Sequence, residues 1–182
     1  DFIIRSNLRV PIFSFTKELL RDQGRTVGRL DSRYKGFDAN DVSDRTEYDP
    51  SYAAILGPYT AALNAYVRGE LKFESDVNYE ILTGRVRPWK FPSDSSYPDV
   101  SRTLSGAISR NPYLRVTIES GYFDLATPFF ASEYTVAHMN LEPALRKNVT
   151  MNYYKSGHMM YVRKEDLAAL KANAAKFYSQ AP

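Results

Sequence analysis

Residues 114–129 read LRVTIESGYFDLATPF, and residues 148–161 read NVTMNYYKSGHMMY. In the first stretch Leu114, Val116 and Ile118 alternate with polar positions, the period-two pattern of a strand over 113–119 with one buried face. The second stretch repeats the plan as a strand over 148–154. Each run ends in a glycine-containing turn, and each turn presents one titratable side chain, Asp124 after the first strand and His158 after the second. Between them Thr127 stands as N-cap before Pro128, and Phe130, Tyr134, Ala137 and Leu141 recur at helical spacing as a buried stripe. A strand, a helix and a second strand imply parallel pairing through a crossover. Asp124 and His158 are therefore expected past the same ends of neighbouring strands, where open α/β sheets place ligands and catalytic groups. The fold class is α/β.

The pattern extends on both sides. Val100, Leu104, Ala107 and Ile108 define a helix that Asn111-Pro112 stops. A last helix is expected over 164–179, with Leu167, Leu170, Ala174 and Phe177 on one face and Glu165 and Asp166 in the first turn, where they suit the helix dipole. Upstream, Pro88, Pro92 and Pro98 with the run DSSYPD read as a linker, so a boundary near 95–100 divides residues 1–99 from 100–182. Within the first part, Pro58 suits the first position of a helix over 58–72, and Tyr59, Leu63, Tyr66, Val67 and Leu71 form its core stripe. A short helical stretch follows at 76–83. Residues 21–50 are rich in Asp, Arg and Gly and read as an exposed, ordered loop anchored by Phe37 and Tyr48, with one short strand near 26–30. Phe15, Leu19 and Leu20 mark a short helix that Gly24 ends.

Bulk properties narrow the function. The 182 residues suffice for one domain with a core. A net charge of +3 with dispersed Lys and Arg gives no footprint for nucleic acid. With no cysteine, disulfides, thiolate nucleophiles and cysteine-type zinc sites are excluded. His138 lies inside a helix and reads as solvated, so two histidines make no zinc site, and no cofactor is expected. Gly24, Gly28 and Gly36 form no phosphate-cradling motif, and Asn148-Val149-Thr150 matches a glycosylation tripeptide but heads a strand. No apolar run approaches the ~20 residues of a membrane span. The opening DFIIRSNLRV lacks the basic and apolar regions of a signal peptide.

An acid followed by a histidine is the second half of the chain order Ser…Asp/Glu…His of α/β-hydrolases. In that arrangement the acid fixes the tautomer of the histidine and stabilises its imidazolium. The plainer readings are an Asp capping its own turn and a solvated turn histidine. No G-x-S-x-G elbow exists anywhere in the chain.

The turns GYFDLATPF and SGHMMY resemble the C-terminal region of serine carboxypeptidases, especially bacterial ones. Gly121, Asp124 and Pro128 match a Gly-x-x-Asp-x-x-x-Pro turn, and Gly157, His158 and Met159 match a Gly-His-Met turn. The likeness is clear over 100–182, looser over 50–100, where YVRGEL and RPWKF resemble the region between lid and catalytic core, and absent over 1–50. It implies the C-terminal part of an α/β-hydrolase fold preceded by a mainly helical lid or insertion segment. It also implies a peptide substrate, Asp124 and His158 as triad members, Met159 as a wall of the substrate pocket, and a secreted or periplasmic setting. The family's serine elbow, oxyanion hole and carboxylate-binding glutamates have no match here. An N-terminal portion of the same protein is then expected to carry the nucleophile. Two other readings stand beside this one: a portion of another α/β-hydrolase (an esterase or aminopeptidase), or a non-catalytic binding or assembly chain. A sheet cut from its neighbours leaves unpaired edges, so self-association is expected as well.

Overall fold

Val116–Gly121 and Val149–Tyr154 pair in parallel, Val116 opposite Val149 and Gly121 opposite Tyr154, and the connection between them carries the helix Phe129–Ala137. The computed structural model of the chain describes residues 1–7, 9–40, 42–90 and 99–180. Six α-helices and four strands occur among them: α1 (Phe2–Arg5), α2 (Ile12–Glu18), β1 (Arg25–Val27), β2 (Lys35–Phe37), α3 (Pro50–Asn64), α4 (Ser101–Arg110), β3 (Val116–Gly121), α5 (Phe129–Ala137), β4 (Val149–Tyr154) and α6 (Lys164–Ser179). The chain is thus mixed helix and strand with a small parallel sheet. None of the helices is long and apolar enough to cross a membrane. The linker expected near 95–100 falls largely on residues outside those described.

The second half follows its apolar pattern closely. Ile108 of α4 is completely buried against Met139 and Leu141, and Leu104, Leu114, Val116, Leu145 and Val149 pack around that centre. On the sheet, Glu119 accepts hydrogen bonds from Thr117 Oγ1 (2.6 Å), Asn152 Nδ2 (2.9 Å) and the Tyr154 hydroxyl. Tyr154 in turn accepts from Asn173 of α6 at 2.9 Å, so a polar chain fastens α6 to both strands. Burial would raise the Glu119 carboxyl, but these donors outweigh it and hold the group below its usual value. Burial, then the bond to Glu119, pushes the Tyr154 phenol up to about 12.

Two stripes need correction. Phe130 and Tyr134 of α5 are mostly exposed; Val136 is half-buried instead, and the buried Met139 lies just beyond the helix end. On α6, Leu170, Ala174 and Phe177 are half-buried as expected, but Leu167 is exposed and Asp166 takes the inner place in the first turn.

The first half departs further. α3 starts at Pro50, where Asp49 caps it by accepting from the Ser51 and Tyr52 amides, so Pro58 lies inside the helix and not at its start. An Asp-Pro pair is the stronger start signal, because the carboxylate satisfies orphan amides and the proline needs none. Beyond Asn64 the helix widens into a π-helix over Ala65–Glu70. Its expected core stripe is largely on the surface, with Tyr59, Tyr66 and Leu71 exposed. Residues 76–83 are not helical.

The stretch 21–50 is no exposed loop: β1 and β2 form an antiparallel hairpin with Thr26 opposite Gly36. Phe37 is exposed and lies under the Arg25 guanidinium, 4.2 Å from ring centre to Cζ. Helix α2 ends at Glu18, and Gly24 ends the following 3-10 turn Arg21–Gln23 at φ 60, a left-handed conformation that suits glycine. α2 packs on the hairpin through Lys17, which meets Asp38 Oδ2 at 2.9 Å with both side chains 2% exposed, and which also donates to Asn40 O.

Candidate functional site

The parallel register sends β3 and β4 out of the sheet side by side, and the backbone bonds continue beyond it, from Tyr122 N to Tyr154 O (3.0 Å) and from Phe123 N to Ser156 O (3.0 Å). The two turns are stacked. A Cβ on Gly121 would overlap the carbonyl oxygens of Ser156 and Gly157, so glycine is required for this approach.

The structure brings Asp124 and His158 together: Oδ2 of Asp124 lies 2.9 Å from Nδ1 of His158. Asp124 is 4% exposed, and its other interactions come from its own turn. Oδ1 accepts from Ala126 N (2.7 Å) and Thr127 N (2.9 Å), and Oδ2 accepts from Thr127 Oγ1 (2.6 Å). Burial raises this carboxyl, yet the His158 bond and the Thr127 and Ala126 donors together hold it below the usual carboxylate value. An ionised carboxylate only accepts, so the proton between the two groups sits on His158 Nδ1. Thr127 Oγ1 stands 3.2 Å from the same nitrogen, and its own proton points to Asp124.

That tautomer leaves Nε2 of His158 with a free lone pair. The ring is 44% exposed, and among the described residues nothing hydrogen-bonds Nε2. The bond to Asp124 raises the imidazole above 6.5, burial and the Arg29 guanidinium oppose the shift, and the Asp124 charge adds to it. Chemically, the pair can take a proton at Nε2 and hold the resulting imidazolium against a buried carboxylate. His138, by contrast, ends α5 exposed, stacked on Tyr134 with Nδ1 2.7 Å from Tyr134 O. Asn148 is buried and donates to Pro112 O at 2.7 Å, a purely structural use of the glycosylation-like tripeptide.

Met159 is half-buried and helps line a cavity of about 250 Å³ beside the His158 turn, with Leu30, Ile55 and Val162 as further apolar wall and Arg33 and Arg163 among its lining residues. No grouping of three or more His, Cys, Asp and Glu side chains is arranged to hold a metal among the described residues.

The sequence reading missed two parts of the site. Thr127 does not cap α5, whose N-cap is Pro128 without a side-chain bond, but closes on Asp124. The spacing Asp124-x-x-Thr127 is an Asp-turn signature that could have shown this. The larger omission is the hairpin loop. His158 N donates to Leu30 O (2.7 Å), Leu125 N to Arg29 O (3.0 Å) and Ser32 N to Phe123 O (2.9 Å), so residues 29–32 lie against both turns. That loop is itself held by α3, with Arg29 N on Asp49 Oδ1 (3.2 Å) and Leu30 N on Ser51 Oγ (3.0 Å). Nothing local in 29–32 signals a contact with residues more than ninety positions away. The chain matches no family model, no curated protein and no solved structure.

Proposed function

We propose that this chain is the C-terminal portion of a serine-type carboxypeptidase and supplies the Asp124 and His158 of its triad. The observation that carries the reading is the contact of His158 Nδ1 with a buried, fully hydrogen-bonded Asp124, with Nε2 facing outward. The likeness of the two turns to that family supplies the substrate class. In this reading Nε2 takes the proton of a serine hydroxyl as it attacks the peptide carbonyl, and His158 then returns that proton to the leaving amine. Asp124 keeps the imidazole in the working tautomer and stabilises it when charged. Met159 and the cavity beside it bound the place of a substrate side chain. The serine belongs to an N-terminal portion of the protein, since no elbow motif occurs in these residues.

The test uses a fluorophosphonate probe and a peptide with a free C-terminus. The 182-residue chain alone should stay unlabelled and inactive. The chain joined or mixed with the serine-bearing portion should be labelled once and should release C-terminal residues. Labelling of a serine within 1–182 would sink the proposal. Hydrolysis of esters but not peptides would assign the pair to an esterase.

A further inference from the structure

We propose that Asp31 is a positioning residue for His158, its carboxylate holding the Gly157 amide so that the next residue aims its ring at Asp124. The inference rests on the reading of Asp124 and His158 as a working pair. It starts from a difficulty in the site. His158 sits on a turn past a strand end, its side chain is nearly half exposed, and a single bond to Asp124 does not hold a loop in place.

Two anchors fix that loop from below. Ser156 is 2% exposed and donates its hydroxyl to Asp166 in the first turn of α6, which Arg163 also contacts. That bond holds the base of the loop. The second anchor lies next to the histidine itself. Gly157 N donates to Asp31 Oδ2 at 3.1 Å, and His158 N donates to Leu30 O at 2.7 Å, so two successive amides are tied to the hairpin.

The Asp31 carboxylate is itself locked. Arg33 reaches it with Nε at 2.9 Å and with its terminal nitrogen at 2.6 Å, and the Arg33 amide donates to Oδ1 at 3.0 Å. The other end of the same guanidinium donates to Lys155 O at 2.8 Å, and its plane lies 4.7 Å from the centre of the Phe123 ring in the Asp124 turn. One ion pair thus touches the backbone before His158 on one side and the Asp124 turn on the other. There is no slack at the junction, because a Cβ on Gly157 would overlap Leu30 O and the Asp31 side chain. Bidentate pairing of Arg with a carboxylate fixes orientation as well as distance. That is what an aiming device needs, and a solvated surface pair does not need it.

The charged groups facing His158 are Asp124 from the β3 turn and Arg29 from the hairpin. Asp31 is not among them, so its effect on the ring should run through geometry. The readout is the titration of His158 in the intact 182-residue chain, followed by long-range proton–nitrogen correlation in ¹⁵N-labelled protein. In the wild type His158 should titrate above 6.5, and Asp124→Asn should bring it down. Asp31→Ala should remove most of the elevation. Asp31→Asn keeps one acceptor for Gly157 N but turns an amide N–H2 toward the Arg33 donors, so it should retain only part of it.

A wild-type value in Asp31→Ala, or an equal fall in Asp31→Asn and Asp31→Ala, overturns the positioning role. If Asp31→Ala does not fold, Arg33→Met decides. Loss of a nearby cation alone would raise the imidazole, whereas loss of the lock should lower it. A rise or no change in Arg33→Met is the overturning result. If the wild-type ring titrates at 6.5 or below and Asp124→Asn leaves it there, the pair itself is uncoupled and the functional reading falls. If only the Asp31 and Arg33 variants are silent, the positioning role falls alone.

Discussion

Asp124 collects four donors on two oxygens, and its chemistry follows from that crowding. Each bond favours the charged form, so burial does not neutralise the group and His158 faces a fixed anion. In the serine-bearing protein that we propose, His158→Ala should lower kcat by about 10⁴-fold or more, because the proton acceptor is gone. Asp124→Asn should cost a smaller factor, since it spoils the tautomer and leaves the acceptor. Steady-state kinetics on a peptide decides both, and near-wild-type turnover in either variant removes that residue from the reaction. The pH profile has a definite sign. The folded imidazole titrates above its unfolded value, and only its neutral form accepts a proton, so kcat/KM should fall as pH drops through a point above 6.5. Stability runs the other way for this group: its share is fully present below 6.5 and is lost as pH rises through the folded value. The depressed Asp124 contributes above 3.8, and that share is lost as pH falls through its lower folded value. Asp124 and His158 were legible because each follows a strand and a glycine turn, a local pattern. Thr127 was half legible, seen as a polar residue before Pro128 but given to the wrong partner. Asp31 was not legible, because its role depends on a contact with Gly157 that only the folded chain creates.

The elements sort by how they are stabilised. Strands β3 and β4 have apolar spacing that agrees with their packing, helices α4 and α6 agree in part (Val100, Ala107 and Leu167 are exposed), and the limits of β3, β4 and α6 fell within about three residues of the expectation. The β1–β2 hairpin has three-residue strands, too short to show a period, and it is held by polar bonds instead. Those bonds include Thr26 Oγ1 to Thr16 O at 3.1 Å and the buried contact of Lys17 with Asp38. A buried lysine in the last turn of α2 runs against composition rules, while Leu19, just past the helix end, is exposed. Removing one member of a buried ion pair strands the other, so Lys17→Ala should destabilise the chain by about 3–5 kcal/mol in urea unfolding. A cost below about 1 kcal/mol would mean that Asp38 reaches water once Lys17 is gone. Gly157→Ala tests the junction of turns and hairpin. The added methyl meets Leu30 O and Asp31, and should cost about 1–3 kcal/mol as overpacking while shifting His158 off Asp124. An unchanged melting temperature together with an unchanged His158 titration would show that the loop yields freely there.

At the scale of the whole molecule the surface is too large for the mass. The accessible area is 13625 Å² for 20.8 kDa, whereas a compact monomer of that mass exposes about 8,900 Å². Large apolar side chains add to the exposed surface: Phe73, Trp89, Tyr113 and Phe130 are each more than 60% exposed, on segments from both halves. The parallel sheet adds to it, because among the described residues β3 and β4 pair only with each other and each keeps an open edge. Open edges recruit strands, and apolar patches recruit surfaces. The purified chain should therefore self-associate, with β3 or β4 at the contact, or become monodisperse only when the proposed serine-bearing portion is added. Sedimentation velocity over a hundredfold range of dilution, roughly from micromolar upward, reads this directly. The expected result is a weight-average mass above 20.8 kDa that falls on dilution, and that resolves to one defined complex with the N-terminal portion present. A dilution-independent monomer with one cooperative melt would count against it. Such a monomer would need its open strand edges covered from within the chain, and the α3 region, with its exposed tyrosines and leucines, is one segment with apolar surface left to cover them.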